Sequence, residues 1–273
     1  MKHVPRQPRD GINVSTTHPL VEAGTLFAGL AAFCVAVVLL AVFLVEIVLY
    51  FLPAEKEAEF FRDWLPDDLV TVSQDDERRG DTQALVDSLA LLWPESPYAF
   101  RVEIDNSDVA NAMAFPGGLI VVTAGLLDQA ETENELAFVL GHELGHYRNR
   151  DHIRALGRGA VLALFLAVTT GSDVSGLGLK VSDLMLRSFG RKQELRADEF
   201  GLSLVDGHYG HVNDAWRMFE RWQEERGSMS RAEGAIEAYT STHPQPEDRI
   251  RRLEELAARE GWPLEGPVTA LAW

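Results

Sequence analysis

Residues Leu26 to Val45, LFAGLAAFCVAVVLLAVFLV, run for 20 positions without a charged side chain. As a helix this stretch rises about 30 Å, the thickness of a hydrocarbon core, so it predicts a membrane-spanning helix and ties the rest of the chain to a bilayer. A cleaved signal peptide fits less well, because the polar leader is about two dozen residues long and no A-x-A site precedes the acidic AEKEAE that follows. Tyr50 suits the interface and Pro53 a helix stop. Lys2, Arg6 and Arg9 before the span are balanced closely by Lys56 and Arg62 after it. The positive-inside rule leans toward an inside N-terminus, which puts the larger part of the chain on the extracytoplasmic, periplasmic side.

Charge excludes one class of partner. The formal net charge of −17 arises wholly beyond residue 52, where 22 basic residues face 39 acidic ones, and such a surface repels phosphate backbones. No nucleic acid partner is expected. The single cysteine, Cys34, lies inside the apolar run, so neither a disulfide framework nor a thiolate zinc site is available.

Beyond the span, DTQALVDSLALLW (81–93) has apolar residues at helical spacing, and YAFRVEID (98–105) alternates like a half-buried strand. AMAF and LIVVT read as two short strands joined by Pro116, Gly117 and Gly118. Thr132 with Glu135 forms a capping-box pattern ahead of LAFVLGHELGHY, and further helices are predicted over about 150–170, 181–206, 212–226 and 246–260. A small sheet packed on helices is an α+β fold.

The helix that starts near Thr132 carries H-E-x-x-H. Residues four apart on a helix face the same way, so His142 and His146 can present two imidazole nitrogens to one zinc ion, while Glu143 borders the same face as a general base. The third ligand has two candidates. His152 completes the histidine spacing of the metzincin pattern, but Asn149 stands where that pattern has Gly, and no turn cluster stops the helix. If the helix continues, His152 points away from His142. The other candidate is Glu194 in RKQELRADEFG, with Asp198 one turn on and able to orient a ligating histidine.

Four blocks in order, NAMAFPGGLIVVTAGLL, LAFVLGHELGHYRNRDH, RKQELRADEFG and STHPQPEDRI, resemble the HtpX-like and CAAX prenyl endopeptidase-like zinc peptidases, metallopeptidase family 48, of the gluzincin type. That resemblance implies a zincin-like fold in which His142, His146 and Glu194 bind Zn2+, Glu143 is the general base and Asp198 supports the ligands. It also implies that His243 and Arg249 contact the metal site or the developing oxyanion, and that Leu119 to Val122 form the edge strand beside the cleft. The expected layout is a leader (1–25), an anchor (26–52), a juxtamembrane linker (53–79), a peptidase domain (80–260) and a tail (261–273). The expected function is membrane-anchored, zinc-dependent endopeptidase action on peptide or unfolded protein, by a metal-activated water, in membrane or envelope protein quality control. The alternatives are a membrane-tethered chaperone-like or autoinhibited protein with a latent zinc site, His243 being the fourth ligand, and a metzincin-like protease using His152. Oligomeric state is not legible.

One departure from the HtpX pattern is the uncharged run Gly159 to Ser172, whose 14 residues suit a buried or re-entrant helix better than a span. Eight basic and three acidic residues between 148 and 192 also leave open an arm that touches anionic headgroups. His208 and His211 read as surface or capping residues at a Gly-rich turn, and His3 and His18 as parts of a flexible leader. Trp216 and Trp222 fit a packing stripe.

Overall fold

The structure, a computed structural model, describes residues 17–62, 76–171, 189–228, 243 and 249–273. The first helix, α1 (Pro19–Phe51), is longer than the apolar run that nucleates it, and His18 caps its start by accepting from the Leu20 amide at 3.2 Å. His18 is therefore ordered by its cap, unlike the flexible leader expected around it. Most α1 side chains are exposed, including Leu26, Phe27 and Phe33, which is what a helix apolar on all sides shows when its surroundings are lipid. The short helix α2 (Ala54–Phe61) follows at once, and its Phe61 carbonyl packs so close to Gly117 that a Cβ there would lie 2.0 Å away.

After α3 (Arg78–Ala90) come three strands, β1 (Arg101–Asp105), β2 (Ala112–Phe115) and β3 (Leu119–Thr123), and a short helix, α4 (Ala124–Gln129). The rest is helical: α5 (Glu133–Arg148), α6 (Asp151–Thr170), α7 (Arg191–Tyr209), α8 (Arg217–Ser228) and α9 (Arg249–Glu260). This is the α+β architecture with one N-terminal apolar helix. The calls over 172–188 and 244–248 lie outside the described residues.

The sheet corrects one expectation. Its order is β1-β3-β2, with β1 parallel and β2 antiparallel to β3, so Leu119 to Val122 form the central strand. The five residues of β3 are all buried, as a strand flanked on both sides should be. The edge toward α5 is β2. Because Thr123 donates to the Asn111 carbonyl at 3.0 Å, the alternation of an antiparallel ladder turns the backbone groups of Ala112 and Ala114 away from β3, where the Ala112 amide donates to Asn111 Oδ1 at 3.0 Å.

Two features of the α5–α6 junction also depart from the sequence reading. The helix does not continue to His152: Asn149 ends it, and Arg150 adopts a left-handed conformation at φ 55° and ψ 33° before α6 begins. Asn149, which stands where the metzincin pattern has Gly, keeps right-handed dihedrals, and its neighbour makes the turn. Nor does α6 lie in the core. Val45 faces Gly157 and Glu46 pairs with Arg154 at 3.0 Å, so α6 runs back along α1 in the opposite direction, leaving Leu164 and Val168 exposed.

Candidate metal centre

The metal-site helix is anchored at both ends. Thr132 Oγ1 accepts from the Glu135 amide at 3.3 Å, while the Glu135 carboxylate accepts from the Glu131 amide and pairs with Arg221. The expected box is thus half formed. Its reciprocal arm goes one residue upstream and to α8. From this start the spacing carries His142 and His146 onto one buried face, and Gly141 and Gly145 onto the side that meets α7.

That contact explains how a residue fifty positions away reaches the same point. A Cβ on Gly145 would lie 2.7 Å from Ala197 Cα, and one on Gly201 would lie 2.7 Å from the His142 amide nitrogen. Only glycine permits backbones this close. The close crossing of α7 places Glu194, buried at 4% exposure, beside the two histidines.

His142, His146, Glu194 and His243 form one buried group. His142 Nε2 lies 3.1 Å from His146 Nε2 and 3.2 Å from His243 Nδ1, and the latter is 3.4 Å from His146 Nε2. Glu194 closes the figure, its Oε1 3.5 Å from His146 Nε2 and 3.4 Å from His243 Nδ1 and its Oε2 3.5 Å from His142 Nε2. A tetrahedron with corners 2.0–2.1 Å from its centre has edges of about 3.3–3.4 Å, so the three imidazole separations and the two from Glu194 Oε1 suit four ligands of one zinc ion. Both Glu194 oxygens are buried without a hydrogen-bond partner, a costly arrangement for a carboxylate that a cation at the centre removes. The residues fit the metal.

Around this group the partners are specific. Asp198 Oδ1 meets His142 Nδ1 at 2.8 Å, leaving Nε2 for the centre, and Asp151 Oδ2 does the same for His146 Nδ1 at 3.1 Å. Arg249 donates to both oxygens of Asp198, at 2.6 and 3.1 Å, and its guanidinium lies 4.4 Å from the Phe219 ring centroid. Arg249, expected to contact the metal site or the developing oxyanion, has its guanidinium behind Asp198, 3.4 Å from His142 Nδ1 and on the side of that ring away from the four donor atoms. Asp151 and the Phe189 ring, stacked on His146 at 4.0 Å, were missed by sequence reasoning. Asp151 lies in the R-N-R-D-H run, where an acid five residues past a ligating histidine was the available signal.

Glu143 is fully buried, with its carboxylate 3.5 Å from His243 Nε2. Burial pushes its pKa up, against the pull of His243 and His146. Burial also presses on Glu194, but His243, His142 and His146 outweigh it and hold that carboxyl at about 2. For His142 burial wins and the pKa falls well below the ordinary imidazole value; for His243 burial is outweighed by Glu194 and Glu143, and the pKa rises. The remaining candidate, His152, lies outside the group: its Nε2 is 2.6 Å from Glu57 Oε1, between the rings of Tyr98 and Tyr147. His211 caps its turn by accepting from the Asn213 amide at 3.1 Å, but is buried and not at the surface. Trp222 is buried, as a packing stripe requires.

An H-E-x-x-H helix beside an edge strand, with a carboxylate supplied by a later helix, defines a zincin-type metal centre of the glutamate-ligand class. The sequence profile of peptidase family M48 matches residues 75–257, and the chain belongs to that family. It is 32% identical over 167 residues to the mitochondrial metalloendopeptidase OMA1 of Schizosaccharomyces pombe, covering 59% of this chain and 47% of that one. It is similar at 28% over 184 residues to a putative beta-barrel assembly-enhancing protease of Vibrio cholerae (63% and 37% covered), and at 30% over 194 residues to a protease HtpX homolog of Salinibacter ruber (58% and 68%). The chain spans less than half the length of the OMA1 relatives it matches.

Proposed function

We propose that the chain is a membrane-anchored zinc metalloendopeptidase in which His142, His146 and Glu194 hold the ion and Glu143 is the general base. The observation that carries this reading is the set of five separations among three imidazole nitrogens and Glu194 Oε1, 3.1 to 3.5 Å, which match the edges of a zinc tetrahedron. Zinc held there supplies Lewis acidity, which polarises the scissile carbonyl and makes water a stronger acid. Glu143 takes a proton from the attacking water, whose oxygen bonds to the carbonyl carbon, and returns it to the amine as the carbon–nitrogen bond breaks. Asp198, held by Arg249, keeps His142 in one tautomer and orientation. An extended peptide would pair with the β2 edge at the Ala112 carbonyl and the Ala114 backbone, since Asn111 Oδ1 already takes the Ala112 amide, and this would lay the scissile carbonyl beside Glu143.

His243 has a role beyond the one its motif implied. Its Nδ1 takes the corner that water needs, so turnover requires the imidazole to give way to substrate. If the corner is closed nine-tenths of the time, His243→Ala should raise the rate of casein hydrolysis up to about tenfold. A tenfold fall instead would put the imidazole on the catalytic path.

The layout follows the same reading: α1 anchors the chain, residues 80–260 act as the peptidase domain on the extracytoplasmic side, and substrates are peptides or unfolded segments of envelope proteins. We also assign the outer part of α6 to the bilayer, because its apolar Gly159–Thr170 stretch lies along α1 and the Glu46–Arg154 pair marks a common polar level. A spin label at Leu164→Cys in a Cys34→Ser background should be reached by oxygen and not by a water-soluble relaxer. Equal access to the water-soluble agent would place α6 outside lipid.

A further inference from the structure

Arg150 is one of two non-glycine residues with positive φ among the described residues, a conformation that costs about 1 kcal/mol or more and persists where surrounding contacts impose it. Its Nη1 donates to the Leu49 and Leu52 carbonyls at 2.8 and 2.7 Å, the terminal carbonyls of the membrane helix that have no partner within it. Its Nε donates to Glu57 Oε2 at 2.9 Å. The other oxygen of Glu57 takes His152 Nε2 at 2.6 Å and the Tyr98 hydroxyl at 3.1 Å, so α2 is locked to the same point.

The next residue faces the metal. Asp151, fully buried, meets His146 Nδ1 through Oδ2, and its Oδ1 accepts from Gln193 Nε2 at 2.6 Å. Gln193 adjoins Glu194 in the chain. Two consecutive residues thus grip the end of the anchor on one side and two metal-holding segments on the other. The left-handed kink at Arg150 is what points them apart.

We propose that Arg150 is a positioning residue that couples the end of the membrane helix, through Asp151, to the orientation of His146, so that the seating of the anchor sets how firmly the metal is held. A helix cap alone would not need the Glu57 lock, and a buried ion pair alone would not need the two carbonyls. The inference rests on the zinc site proposed above.

The test uses full-length protein in nanodiscs, loaded with zinc(II) and mixed with a chromophoric chelator, with a parallel cobalt(II) sample for the visible ligand-field bands. Arg150→Ala, and a separate two-glycine insertion after Phe51 that leaves every other residue unchanged, should each speed zinc release by about tenfold or more, the range for loss of an outer-shell partner. Both should shift the cobalt bands. Combined, they should act no more strongly than either alone, because both cut one connection. Arg150→Lys, which keeps the charge on Glu57 but not the fork across two carbonyls, should fall between wild type and Arg150→Ala. Arg221→Ala, breaking the Glu135 pair at the opposite end of α5, should lower the melting temperature without changing release. Wild-type release and bands in both Arg150→Ala and the insertion, or additive effects, would overturn the coupling. Wild-type protein that takes up no zinc would instead defeat the proposed function.

Discussion

Replacing Glu143 by Gln is expected to abolish peptide hydrolysis while leaving the zinc content at one per chain. Gln has the size and shape of Glu but neither accepts a proton near neutral pH nor carries the charge that His243 Nε2 faces at 3.5 Å. Positioned proton transfer contributes about 10²- to 10⁴-fold to such reactions, so casein cleavage should fall at least a hundredfold on that scale. Glu143 is not among the four grouped donors, so metal retention should not suffer. Metal analysis and casein assays on one preparation separate the two effects. A Gln variant cleaving at the wild-type rate would refute the base, and one that also lost zinc would move Glu143 into the ligand set.

The second large effect separates the two candidate ligands. Glu194→Ala removes one corner of the tetrahedron and the one carboxylate among the four grouped donors, so zinc should drop well below one equivalent after dialysis. His152→Ala should keep its zinc and lose stability instead. Removing the imidazole leaves Glu57 Oε1, which accepts at 2.6 Å from His152, with one partner fewer in a buried setting, a loss of about 1–3 kcal/mol. Glu57 adds a pH signature. Burial raises its pKa, but the hydrogen bond and charge of His152 and then Arg150 carry it below the ordinary carboxylate value. A depressed folded-state pKa means that this pair stabilises above the unfolded carboxylate value and is lost as pH falls through the lower folded value. The melting-temperature gap between wild type and His152→Ala should therefore be widest near neutral pH and narrow on acidification through the carboxylate range. Zinc loss in His152→Ala with retention in Glu194→Ala would reverse the assignment.

Local pattern made much of this molecule readable. The apolar run marked α1, the Thr132 cap marked the start of α5, and the four-residue spacing of His142 and His146 needed only helical geometry. Glu194 could not be fixed by spacing alone, because its arrival depends on Gly145 and Gly201 letting α5 and α7 touch, a tertiary fact. The same holds for strand order. LIVVT reads as a buried strand from its composition, but whether it lies at an edge depends on which neighbours pair with it. The break at Asn149 and Arg150 was hidden because arginine has no turn propensity; two helix-end carbonyls a hundred residues upstream hold it in place. Glu57 lay in a segment expected to be a linker, and its partners, Tyr98, Arg150 and His152, come from two other parts of the chain. The grouping of His243 Nδ1 with the other three donors was legible only as an option, since a motif names a residue without saying which atom faces the centre.

Because main chains, not flexible side chains, meet where α5 crosses α7, the cage around the four donors has little room to expand. A calcium ion, which needs six to eight oxygens at 2.3–2.6 Å, would have to push two polypeptide backbones apart. Discrimination between cations at the proposed zinc site would thus start with a pair of hydrogens where any other amino acid would carry carbon.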